Sequence, residues 1–327
     1  MNNYEHNVDL VNHKVSPHRL DAAAKAGAAA IYQKAVIVTL TVQQWRAVSV
    51  RRDVTAQLTA SHQVPKTAAK VQANLIEPQY LRGLWSAITA ARSAHKRYSL
   101  VWGGDGQRLL PLDRSHQYET AMHAAMDQFE REKTIFLAEY NNIKASAATA
   151  LGVFFDPNAY PTAAELRHKF SVSYHFLPIP QAAHFSANVT RAQCEKIRAS
   201  IDEIVQRRLH EAHQSLRQEI GASIRHLIKQ LGVDAAGEPR ALHKAAFSNL
   251  LELADEIPAL NVTSDPAIPA VSAALKTALA DQDLKYFRRR SRDTKETERT
   301  QRQREALSRK LEAIIDGFCG NSKIGEH

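Results

Sequence analysis

A chain of 327 residues with a net charge of +9 and apolar side chains at 44% of its positions can build a sizeable core, and its two cysteines are too few for a disulfide framework. No window approaches eighteen consecutive apolar residues, and the polar N-terminus MNNYEHNVDLVNHKV has no signal-peptide core. Membrane spanning and export are therefore not expected, and Cys194 and Cys319, read as small buried hydrophobes, suit a reducing cytoplasm.

Twelve glycines and twelve prolines in an alanine-rich chain favour helices, because alanine loses no side-chain entropy in one. Ser16-Pro17 predicts a helix start, with an Ala-rich helix running to about Tyr32. The β-branched run Ala35 to Val42 then reads as a strand. Pro78 opens a helix with Leu81, Leu84, Trp85 and Ile88 on one face. Ser99 to Trp102 and Gln107 to Leu110, joined by Gly103-Gly104-Asp105-Gly106, predict a hairpin. Ser115 is expected to cap a long helix carrying Met122, Met126, Phe129, Phe136, Tyr140 and Ile143 and ending at Gly152.

Thr162 with Glu165 matches a capping box for a short helix, after which Val172, Tyr174 and Phe176 alternate as in a strand. Thr190 with Gln193 forms a second box. It introduces the longest helix, with Ile197, Ile201, Ile204, Leu209, Ala212, Leu216, Ile220, Ile224, Leu227 and Leu231, closed by Gly232. An apolar spacing of about 3.8 is too wide for a left-handed coiled coil, so this helix is expected to lie on a globular core. Gly232 to Pro239 reads as a linker, and Pro239 as the start of a helix through Leu242, Phe247, Leu250 and Leu251. The loop Asn261 to Pro266 starts another, with Ile268, Val271, Leu275 and Leu279, and Leu307, Leu311, Ile314 and Phe318 set the amphipathic pattern of the last. The expected fold is mainly α with a small antiparallel β-sheet, an α+β first half and an all-helical second half. Its expected segments are 1–33 (helical), 34–185 (α+β) and 186–327 (helical, including a basic helix over 285–310).

Charge is distributed far less evenly than the apolar residues. Arg288 to Glu305 runs for eighteen positions without one apolar side chain, and Lys285 to Lys310 holds eleven Lys or Arg against four Asp or Glu, seven of the surplus of nine. As a helix this segment aligns Arg288, Arg292, Lys295, Arg299 and Arg302 at spacings of three and four. Internal ion pairs such as Glu298 with Arg302 cannot neutralise an excess of nearly three to one, and a polyanion relieves the repulsion that remains. Lys285, Arg288, Arg289, Arg290, Arg292, Lys295, Arg299, Arg302 and Arg304 are the expected nucleic-acid contacts, with Arg gripping phosphates through its fork and Lys acting as a point charge. Tyr286 and Phe287 sit beside them; packing is their expected use.

Other chemistry is weakly signalled. The Gly103–Gly106 loop can bring amides close to a phosphate, yet lacks the Lys-Ser/Thr of a P-loop and reads as a hairpin turn, with Arg108 covering the sheet edge. His210 and His213 share a helix face, but His168, His175 or Cys194 would have to supply a third ligand and no spacing predicts it, so no metal or cofactor is expected. Cys194 in a helical first turn reads as a packed residue before it reads as a nucleophile. No GxSxG elbow, HExxH, paired-Asp or carboxylate/lysine nuclease pattern is present, and no enzymatic activity is expected.

One pattern spans most of the chain. Trp102 to Pro111 (WGGDGQRLLP) is followed by Tyr118, Phe129, Phe136 and Tyr140, then Leu151-Gly152, Phe155-Asp156, Tyr160-Pro161, Phe170 with Pro178-Ile179-Pro180, and finally Leu260 to Thr263 with Asp265-Pro266. Over roughly residues 36 to 280 this resembles a family of uncharacterised proteins from tailed phages, prophages and integrative elements. Some of its members are encoded near a MoxR-type AAA+ ATPase and a von Willebrand A-domain protein. Gly103-Gly104 stands where the family pattern has acidic residues, which argues against a metal in the hairpin loop. The resemblance implies an accessory protein of the host-cell cytoplasm. The basic segment lies beyond the matched part, and its charge alone gives the expected function, non-specific binding of DNA or RNA through the basic helix. The alternatives are an adaptor or substrate of a MoxR-type ATPase, or a virion assembly component.

Overall fold

The computed structural model describes residues 31–65, 67–104, 106–233, 240, 242, 244–280 and 294–320; of helical residues 244, 294–298, 319 and 320 only the backbone is described. The helix expected from Ser16 lies outside this set except for its last turn, 31–34, which is helical. Residues 234–239 and 281–293, which hold most of the expected linker and the start of the basic segment, lie outside it as well.

Strand β1 (Ala35–Gln43) is the organising element, and its sequence shows why. A run apolar at both odd and even positions has no solvent face, so it suits a strand covered on both sides. It sits inside a four-stranded antiparallel sheet of order β4-β5-β1-β6, with β4 at Leu100–Val101, β5 at Gln107–Pro111 and β6 at Ser171–Leu177. Register puts Ile37 opposite Leu109, Val36 opposite Leu110, and Val42 opposite Val172. A separate two-stranded ribbon, β2 (Val48–Val50) with β3 (Gln72–Asn74), flanks helix α1 (Arg52–Ser61).

The two sheet faces support two cores. Val38, Leu110 and Val172 pack with helices α2 (Arg82–Arg97) and α3 (Ser115–Leu151), among Leu84, Ile88, Tyr118, Met122, Phe129, Phe136 and Tyr140. Short helix α4 (Ala163–Lys169) closes this side through Leu166. Ala35, Ile37, Leu100, Trp102 and Leu109 face the other way, onto helix α5 (Arg191–Leu231) and the helices beyond it: α6 (Lys244–Leu260), α7 (Ala267–Ala280) and α8 (Thr294–Gly320). The first half is thus α+β and the second all-helical, as the patterning predicts. The expected boundary near 185 falls between β6 and α5, although the helical half buries one face of the sheet. Arg97 reaches across the halves to Glu252 at 3.0 Å and Glu256 at 2.6 Å.

Both capping boxes form, each with the threonine hydroxyl accepting from the N3 amide and the N3 side chain accepting from the threonine amide. Other expectations are corrected. Pro78 starts a 3-10 turn, Pro78–Leu81, before α2 begins, and Trp85 is 38% exposed while its helical neighbours Leu84 and Ile88 are buried. Ser115 does not cap α3; its hydroxyl donates back to the Leu112 carbonyl at 2.7 Å. Leu242 is buried ahead of α6, which starts at Lys244, and Leu251 is 40% exposed. Gly232 does cap α5, in extended backbone instead of a left-handed turn. In the same helix Ile197 is 37% exposed and the buried stripe begins only at Val205, so the first turns of α5 stand clear of the core.

A proline inside α6 is accommodated by a neighbour. Pro258 has no N–H to donate to the Ala254 carbonyl one turn back. The buried hydroxyl of Ser272, on α7, donates to that carbonyl at 2.6 Å instead. Among the described residues no helix is long and apolar enough to cross a membrane.

Candidate nucleic-acid interface

Helix α8 has two unlike sides. Leu307, Leu311, Ile315 and Phe318 recur at steps of three and four and are buried against the helical core, so one stripe of the helix is fixed. Arg299, Arg302, Arg309 and Lys310 are exposed, with Arg309 near Glu305 at 3.8 Å. Lys295 belongs to the helix by its backbone, while Lys285, Arg288, Arg289, Arg290 and Arg292, together with Tyr286 and Phe287, lie outside the described residues. The geometry of the outer face is therefore defined at Arg299 and Arg302 among the nine expected contacts.

Arg304 is a correction. Three residues before Leu307 and seven before Leu311, it falls on the buried stripe and is only 3% exposed. Its Nε donates to the Leu231 carbonyl at 2.9 Å, and its Nη2 to Gln230 and Arg240 at 2.8 Å each. Helix C-termini leave carbonyls without intrahelical donors, and a guanidinium supplies donors at the place where the helix dipole is negative. Arg304 is the side-chain cap of α5, and at 3% exposure it is committed to these carbonyls. Burial pulls its pKa below the ordinary guanidinium value.

His210 and His213, both on α5, differ in burial. His210 is exposed, whereas His213 is half-buried, accepting from Thr263 Oγ1 at Nδ1 (3.0 Å) and donating from Nε2 to Asp265 (3.3 Å). Desolvation outweighs the Asp265 charge and lowers the His213 pKa. Asp265 also takes Arg217 at 2.7 Å, and Arg217 donates to the Phe318 carbonyl and stacks over its ring at 4.4 Å. This cluster ties α5, the α6–α7 loop and the end of α8 together. Among the described residues no group of three His, Cys, Asp or Glu side chains could hold a metal. Cys194 is half-buried in the first turn of α5.

The hairpin loop is held from behind. Gly106 adopts a φ of +78°, and a Cβ there would lie 2.7 Å from the Leu40 carbonyl, so only glycine lets the loop lie on β1. The Gly106 carbonyl accepts from His95 Nε2 at 2.8 Å, and His95 Nδ1 accepts from the Tyr118 hydroxyl at 3.0 Å. Both ring nitrogens are thereby used in the neutral state, and burial pushes the His95 pKa down to about 4. Arg108 donates to the Ser99 hydroxyl and carbonyl at 2.9 and 2.6 Å, so it binds the end of α2 to the hairpin and does more than cover a sheet edge. Arg92 and Lys96, which share this end of α2, carry no motif that sequence reading could have singled out. Compared with protein-family models, with curated proteins and with solved structures, the chain matches none.

Proposed function

We propose that the protein binds nucleic acid non-specifically, by phosphate contacts from the basic segment 285–310, as an accessory protein of a phage or mobile element and without catalysing a reaction. The observation that carries this reading is the one-sidedness of α8. Its apolar stripe and Arg304 anchor it to the core, while Arg299, Arg302, Arg309 and Lys310 are exposed. A helix fixed on one side presents charge in a constant direction, which lowers the ordering cost of meeting a polyanion. The segment it carries holds seven of the chain's nine surplus positive charges. Contacts of this kind attach to backbone phosphates and carry no sequence information.

Fluorescence anisotropy of labelled single- and double-stranded DNA and RNA across a salt series tests the reading. Wild type is expected to bind with a steep salt dependence. A variant with Arg288, Arg289, Arg290 and Arg292→Gln should lose about four phosphate contacts, flattening the slope of log K against log salt by roughly 3 to 4. If wild type fails to bind at low salt, the reading is wrong and the exposed face of α8 belongs to a protein partner. The MoxR-type ATPase that the resemblance implies is then the first to test.

A further inference from the structure

Between the C-terminal half of α2 and the hairpin lies a cleft of about 710 Å³. Its walls are Thr89, Arg92, Ser93 and Lys96 from one exposed face of α2, Leu40 and Val42 of β1, Val101, and the hairpin residues Gly103, Gly104, Gly106, Gln107 and Arg108. Arg92, Lys96 and Arg108 converge on it, and among the described residues no carboxylate lines it. Asp105 lies outside the described residues. Glu219 of α5 is the carboxylate whose charge reaches Arg108, and it is not part of the lining.

We propose that this cleft binds a small phosphorylated molecule by its phosphate group. The C-terminus of a helix ordinarily repels anions, because its carbonyls are unpaired. Here the Lys96 carbonyl accepts from Arg108, and the His95 carbonyl accepts from the Ser99 hydroxyl, which itself accepts from Arg108, so a cation stands over this end of the helix. Arg92 and Lys96 stand one helical turn apart on the same wall, within reach of one anion. Gly104 leaves open space where a side chain would be, so backbone can approach a ligand from that side. Leu40, Val42 and Val101 provide an apolar wall for the rest of the molecule, and the volume lies in the range of small-ligand sites. The Gly106 end of the loop is held by the buried His95–Tyr118 pair and by its close approach to β1, which lowers the ordering cost of binding there. This site is separate in sequence from the basic segment 285–310 and stands or falls independently of it.

Isothermal titration of the full chain with inorganic phosphate, pyrophosphate and ADP is the test, with a short oligonucleotide as a fourth titrant. Pyrophosphate or ADP should bind. Arg92→Gln with Lys96→Gln should weaken that binding at least tenfold without changing the melting temperature, because both side chains are exposed. Gly104→Asp, which places a carboxylate in open space, should also weaken it at least tenfold. The variant with Arg288, Arg289, Arg290 and Arg292→Gln should bind as wild type does. The proposal is overturned if none of the small phosphates binds at millimolar concentration, if the α2 double variant binds as well as wild type, or if only the oligonucleotide binds.

Discussion

The capping role of Arg304 can be measured apart from any binding role. Arg304→Met keeps an unbranched apolar stem beside Leu307 and removes the guanidinium, leaving the carbonyls of Gln230, Leu231 and Arg240 without the donors they now meet at 2.8–2.9 Å. Hydrogen bonds to a charged group are worth about 1.5–3 kcal/mol each, but burying the guanidinium carries a desolvation cost that shows in its lowered pKa. Setting one against the other, the net loss is expected at ~2–4 kcal/mol. At about 2 °C per kcal/mol for a chain of this size, the melting temperature followed by circular dichroism at 222 nm should drop by ~4–8 °C. Arg302→Met, two positions earlier on the exposed face, should melt within about 1 °C of wild type. Measured well below melting, Arg304→Met should bind DNA as wild type does. If it melts with wild type and loses DNA affinity, the reasoning about the buried stripe is wrong.

Two further outcomes follow from buried polar groups. Ser272→Ala should cost about 1–2 kcal/mol in urea denaturation, because the Ala254 carbonyl opposite Pro258 is left buried without a donor; an unchanged midpoint would mean another donor reaches it. Folding holds His95 at about 4 against an ordinary 6.5, so between those values the unfolded chain binds a proton that the folded one refuses. Its contribution is complete above pH 6.5 and fades as pH falls toward 4, by at most about 3 kcal/mol. His95→Gln should remove more than half of the stability lost between pH 7 and pH 5; His213, also held low, accounts for a remaining slope. If the variant loses stability over that interval as steeply as wild type, other groups govern it.

What could be read beforehand was whatever is encoded locally. The β1 run, the hairpin around Gly103–Gly106 and the two threonine capping boxes are set by residues within a few positions of one another, and all of them form. Trp85 and Leu251 lie in the expected helices but stay partly exposed, because a helical stripe gives the direction of a face but not the width of the surface that covers it. Arg304 was misassigned by composition, since it lies in a run of charged residues. The signal was nonetheless present: counting back from Leu311 and Leu307 places it on the apolar stripe. The cleft beside the hairpin was illegible for a different reason. Arg92 and Lys96 meet Arg108 only because β5 pairs with β1 and α2 packs across it, a long-range fact with no local trace.

The double-faced position of β1 has a consequence for synthesis. Once β6 has left the ribosome the sheet can pair, and α2 and α3 can cover one side of it. Ile37, Leu100, Trp102 and Leu109 then await α5, whose buried stripe ends at Leu231, about 50 residues later. At 5–20 residues per second this surface is bare for roughly 3–10 s in each round of translation. A stall inside α5 would prolong that interval and leave a nascent chain whose sheet can pair with or stick to another, so the codons of residues 180–231 are where translation speed should matter most for yield.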